Sequence, residues 1–163
     1  LVVPPGSSQR PRNTGWFADF AGLEHAITAP VGYGEGGWRF WGSTFDPTGL
    51  YRLNAVMRWR AEQGLTVEKS DSHVRTLQRR FLTKLSEKPR GPFTSEALVS
   101  TDLAKLGHFL TFRVPNAPAL SEKLVRDCGV MTDARGDRLR FGFGLYHDGA
   151  DIDELFKRLD KLI

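Results

Sequence analysis

Arg140 lies in the run Leu139-Arg140-Phe141-Gly142-Phe143-Gly144-Leu145-Tyr146. Alternation with period two puts Leu139, Phe141, Phe143 and Leu145 on one face of a strand and Arg140, Gly142 and Gly144 on the other. The first is a core face. The second carries a guanidinium whose neighbours have no side chains. Glycine inside a strand weakens pairing and marks places where a ligand or another backbone comes close. A guanidinium over bare backbone offers a carboxylate two parallel hydrogen bonds. The competing reading is an exposed arginine on a solvated sheet face, the common fate of strand arginines.

Three other positions have the chemistry of a site. Ser43 and Thr44 follow Gly42 and directly precede a helix that Asp46-Pro47 begins. Hydroxyls and free N–H groups near a helix start suit a phosphate, although on the sequence alone capping of that helix is the favoured explanation. Trp16, in Gly15-Trp16-Phe17, sits in an irregular polar region, which favours an interface or a ring-stacking role over the core. Trp38 and Trp41 read as packing residues. His25, His73, His108 and His147 are too scattered for metal-ligand spacing, and Cys128 has no cysteine partner, so no zinc site is expected. Neither a Gly-x-Ser-x-Gly elbow nor a phosphate-binding Gly-x-x-x-x-Gly-Lys loop occurs. Gly32-Tyr33-Gly34-Glu35-Gly36-Gly37 does not match a dinucleotide fingerprint and reads as a flexible surface loop.

These residues must be positioned by a folded chain, and the composition permits one. The 163 residues are 40% hydrophobic and 26% charged, ordinary for a globular protein. The net charge of +4 is spread out, with one denser group at Arg75, Arg79, Arg80, Lys84, Lys88 and Arg90 that reads as a solvated helix face. No aromatics and cations are seen gathered on one sheet face, so nucleic acid is not an expected partner. A lone cysteine fits a reducing, cytoplasmic setting. No run of about 18 apolar residues is present, so no membrane span is expected. The opening Leu1-Val2-Val3-Pro4-Pro5 lacks an initiator Met, which suggests a missing start.

The elements follow from period and punctuation. Leu1–Val3 reads as the end of a buried strand, and Gly15–Gly37 has no clean period. A helix runs from Asp46-Pro47 to about Gln63, with Leu50, Leu53, Met57 and Ala61 as its apolar stripe, and Gly64 closes it. A second covers about Val67–Leu85 and buries Val74, Leu77, Phe81, Leu82 and Leu85. Beyond the breaker-rich Lys88–Pro92, strands are predicted at His108–Val114, Val130–Asp133 and Leu139–Phe143. Helices are predicted at Ala119–Asp127 and after Asp148, the latter with Ile152, Leu155, Phe156, Leu159 and Leu162 inward. The second half is thus an α+β sandwich, with helices covering a small sheet.

Taken in order, Gly15-Trp16-Phe17, Phe40-Trp41-Gly42-Ser43-Thr44, the long helix, His73 and Leu77, Cys128–Arg135, Leu139-Arg140-Phe141-Gly142, Leu145-Tyr146 and Asp151-Ile152-Asp153 resemble the C-terminal part of the class V aminotransferase superfamily of pyridoxal-phosphate enzymes. The likeness is to the kynureninase-like branch and covers about Gly15 to Ile163. It implies the small domain of a fold-type-I enzyme (65–163) preceded by the tail of the large domain (1–64). It implies that Arg140 grips a substrate α-carboxylate. It implies that Ser43 and Thr44 offer polar groups to the pyridoxal 5'-phosphate of a neighbouring subunit, and that Trp16 lies near that cofactor across a homodimer interface. The family's cofactor-bearing lysine belongs to a region before Leu1, and Lys69, Lys84, Lys88, Lys105 and Lys123 read as solvated charges. The chain is therefore expected to be a fragment, inactive alone, whose partners are the rest of its large domain, a second subunit and a small amino-acid substrate. Ser43-Thr44-Phe45-Asp46-Pro47 departs from the Asn-Pro-Pro style of kynureninases, and this leaves the substrate open.

Overall fold

The computed structural model describes residues 2–24 and 32–162, so the expectations for Leu1 and His25 lie outside the described residues. It divides into two units, Leu1–Arg58 and Trp59–Ile163. Helix α1 spans Thr48–Glu62 and α2 spans Val67–Glu87. Thr66 caps α2, its hydroxyl accepting from the Lys69 N–H at 3.2 Å. Val74, Leu77, Phe81 and Leu85 recur at helical spacing along α2 and are all buried.

The remaining elements fold against that stripe. Strand β1 is Phe109–Arg113 and helix α3 is Ala117–Lys123, which relaxes into a π turn over Leu124–Cys128. Strands β2 (Asp133–Arg135) and β3 (Arg138–Gly142) form a hairpin, and helix α4 is Gly149–Leu159. The sheet is antiparallel in the order β1-β3-β2. A two-residue loop, Gly136-Asp137, joins β2 to β3. Gly136 holds φ at +58°, the first-position requirement of a type II′ turn, which matches the twist of the flanking strands.

Alternation then sorts the sheet's faces. Leu110 and Phe112 of β1 meet Phe141 and Leu139 of β3 across the ladder, and all four are buried. Phe81 of α2 is fully buried among them, 5.4 Å from Phe141, 5.8 Å from Phe143 and 5.0 Å from Phe156 of α4 by ring centroid. One layer of helices thus covers one face of an α+β unit. Asp148 starts α4 with a reciprocal cap: its carboxylate accepts from Asp151 N–H at 3.0 Å while Asp151 accepts from Asp148 N–H at 2.8 Å.

Several expectations are corrected. Val2 is 92% exposed, and no strand forms at Val2 and Val3, the described residues of Leu1–Val3. Helix α1 forms, but it buries none of its residues; Leu50, Leu53 and Met57 remain exposed, so its stripe has no core to meet. The strand expected at Val130–Asp133 begins only at Asp133, where the two-residue turn sets the register. The basic residues of α2 are not simply solvated. Arg75 bonds the Leu106 carbonyl at 2.7 Å and Gln78 at 2.9 Å. Arg90 is buried against Phe156 and pairs with Asp160 at 2.8 Å. Arg80 and Lys84 both reach Asp153 on α4, at 2.6 and 2.9 Å. Among the described residues no helix is long and apolar enough to cross a membrane.

The contrast between α2 and α1 predicts opposite outcomes for truncation. Phe81→Ala should cost about 3–5 kcal/mol in denaturant unfolding, while Leu53→Ala should change stability by less than about 0.5 kcal/mol. A second outcome concerns pH. Hydrogen bonds from Arg80 and Lys84 hold the Asp153 carboxyl down to about 2, below its ordinary 3.8. The folded value lies below the unfolded one, so this stabilisation is whole above roughly pH 4 and drains away as pH falls toward 2. Asp153→Asn should therefore flatten the loss of stability across that window, as followed by urea unfolding at stepped pH.

Candidate functional site

The face of the sheet turned away from the helices carries the chemistry. In one row of the register Thr111, Arg140 and Asp133 stand side by side across β1, β3 and β2. In the next row stand Arg113, Arg138 and Arg135. Like charges directly opposite one another are unfavourable in a ladder. Asp137, in the turn, offsets part of this by pairing with Arg138 at 2.8 Å and Arg113 at 3.5 Å.

Arg140 is held on two sides. Its guanidinium lies over the Phe109 ring, 5.3 Å from the centroid, and it pairs with Asp133. Its side chain is 25% exposed and that of Asp133 is 51% exposed. On the remaining side Gly142 leaves open space: a β-carbon built there would meet nothing within 4 Å. Phe143 N–H donates to His108 O at 2.8 Å and Val114 N–H to Asp137 O at 2.9 Å, so the odd-numbered backbone groups of β3 face β1. The even-numbered ones face β2. Gly142 lies one step past the last β2 partner, Asp133, and its peptide groups therefore face the gap where β2 has not begun. Phe109, Met131, Thr132, Asp133, Arg140 and Gly142 enclose a concavity of about 340 Å³ there. It can receive a small anion at a guanidinium beside uncrowded backbone.

The other expected residues belong to the first unit and come together within it. Phe17 N–H donates to Gly42 O at 3.2 Å, which sets Gly15-Trp16-Phe17 beside Gly42-Ser43-Thr44. Gly15 is required for this approach, because a β-carbon there would lie 1.9 Å from Gly42 O. Trp16 is 50% exposed and its ring lies 4.5 Å from Phe17 and 5.8 Å from Phe20. Trp38, expected as packing, is exposed and stacked on Trp41 at 4.5 Å. Ser43 and Thr44 are exposed; Ser43 makes one long bond, 3.5 Å to its neighbour's carbonyl. Capping of α1 falls instead to Asp46, whose carboxylate accepts from the Thr48 hydroxyl at 2.5 Å and from the Thr48 N–H at 2.9 Å; these bonds, the hydroxyl first, hold it below the usual carboxylate range.

The histidines of the second unit serve its framework. His73 bonds the His147 carbonyl at 2.8 Å, His147 Nδ1 accepts from Gly144 N–H at 3.1 Å, and His108 pairs with Asp71 at 3.1 Å. Cys128 is buried at the helix–strand junction.

Two features of the Arg140 face escaped sequence reasoning. Asp133 carried a signal, since counting outward from a two-residue turn at Gly136-Asp137 sets it opposite Arg140. Phe109 carried none, because β1 lies some thirty residues upstream. The expectation that no cations and aromatics share a sheet face is corrected, since Phe109, Arg113, Arg135, Arg138 and Arg140 do so. Each occupies an outward position on a different strand or step, a pattern invisible until the strands pair.

Gly15→Ala tests the first cluster. It should change the near-ultraviolet circular dichroism of the tryptophans, while the unfolding midpoint reported by the second unit's far-ultraviolet signal stays unchanged.

The chain matches no protein-family model and no curated protein sequence.

Proposed function

We propose that the chain is the C-terminal part of a pyridoxal-phosphate enzyme of the class V aminotransferase kind, kynureninase-like, acting on an amino acid. The observation that carries the reading is Arg140: a guanidinium on an outward strand face, seated on an aromatic ring, with an open side-chain-free flank. The α+β architecture of the second unit, with helices over a three-stranded antiparallel sheet, is of the coarse class that this reading requires. In this reading Arg140 binds and orients the substrate α-carboxylate through paired hydrogen bonds.

The donor chemistry of the first unit fits the cofactor's phosphate. Ser43 and Thr44 present exposed hydroxyls that helix capping does not use, and Trp16 presents half of its ring. These residues would hold the phosphate and flank the ring of a cofactor belonging to a homodimer partner. When bound, the cofactor supplies an electron sink for cleavage at the amino acid's α-carbon, and the protein supplies orientation. The unpartnered apolar residues of α1 and of the aromatic segment are consistent with cover from the rest of a large domain.

The row Arg113–Arg138–Arg135 favours one alternative, a non-catalytic module whose sheet face binds a polyanion. Asp133 and Asp137 neutralise much of that row, which is why it ranks second.

Arg140→Ala in the longer enzyme should remove most turnover of amino acids while the cofactor's visible absorbance is retained. Near-normal turnover would refute the assignment. For the alternative, retention on heparin that falls steeply with salt, and falls further in Arg113→Gln/Arg138→Gln, would move the reading to the polyanion module.

A further inference from the structure

A guanidinium three-quarters withdrawn from water is costly to leave without a counter-charge. Asp133 supplies that charge to Arg140 from the opposite register position. Asp133 is itself half exposed, so moving it exacts little desolvation. It also has somewhere to go. Arg135 lies two residues along β2, on the same face, with its Nε 3.6 Å from the same Oδ2 atom that meets Arg140.

We propose, resting on the reading of Arg140 as a carboxylate receptor, that Asp133 is a built-in stand-in for the ligand. It holds the guanidinium on the Phe109 ring while the concavity is empty. It transfers to Arg135 when an external carboxylate takes its place. The exchange is one carboxylate for another, so neither Arg140 nor Asp133 is ever without an opposite charge. Arg135 is thus a second berth and not a ligand contact. Arg113 and Arg138 in the adjoining row share one carboxylate, Asp137, so the face keeps a small positive surplus that admits an anion. The arrangement also sets specificity: a neutral ligand gives Asp133 no reason to leave, so only an anionic ligand competes.

The 163-residue chain can be titrated with sodium acetate at constant ionic strength. Binding is followed by the side-chain Nε–Hε NMR signal of Arg140, identified by its loss in Arg140→Gln. Asp133→Asn and Asp133→Ser should each bind acetate about fivefold more tightly than the natural chain, the upper range for an exposed ion pair. Asp133→Glu, which keeps the charge, should bind as the natural chain does. Arg135→Gln, which removes the second berth, should weaken binding about twofold. General damage to the lobe would weaken binding in every variant and cannot produce these opposite signs. Unchanged or weaker binding in both Asp133→Asn and Asp133→Ser, with the Arg140 signal still responding, would overturn the stand-in and leave the receptor reading in place. An Arg140 signal that moves in none of the variants would overturn both.

Discussion

The packing of Phe81 against the inner face of β3 is the constraint on which the second unit depends. Phe81 sends its ring from α2 into contact with Phe141, Phe143 and Phe156, and so binds two helices and the central strand at one point. Side chains of a strand alternate, so fixing Phe141 inward fixes Arg140 and Gly142 outward. A slip of one residue would bury the guanidinium and expose the phenyl rings, at a cost far above the unit's margin of stability. The location of the chemistry is therefore a consequence of the core.

Around that core the charges act as fasteners. Arg80 and Lys84 share Asp153, Lys88 and Arg90 share Asp160, and both pairs join α2 or the loop after it to the C-terminal helix. Arg75 and Gln78 hold the carbonyls of Leu106 and Gly107, which delivers the chain into β1 at a fixed register. Phe109 then follows directly, beneath Arg140. The outward face uses the same chemistry: Arg140 pairs with Asp133 across the hairpin, and Asp137 joins Arg138 and Arg113.

The first unit follows different physics. Its aromatic residues stack in sequence from Trp16 and Phe17 to Trp41 and Phe45, yet Ala18 is the buried residue of its longest helical turn. Helix α1 keeps its backbone bonds but gains nothing from its apolar stripe. Short 3₁₀ turns and close glycine contacts hold the segment locally, in place of an interior.

Much of the second unit was legible in the sequence. The stripe of α2, the capping pair Asp148 and Asp151, the turn at Gly136-Asp137 and the alternation through Arg140 each depend on neighbours a few residues away, and local periodicity reports such neighbours faithfully. The same information placed Leu50, Leu53 and Met57 on one side of a helix, but could not say whether anything would cover them. Asp133 opposite Arg140 and Arg135 opposite Arg138 follow from the local hairpin turn. Which partners β1 brought was decided only by tertiary structure: Phe109 beneath Arg140, and Arg113 completing the row of arginines, depend on a strand far upstream coming into register with that hairpin. Spacing along a sequence fixes which face a side chain occupies; what stands on that face beside it is fixed by hydrogen bonding between strands and by burial of the opposite side.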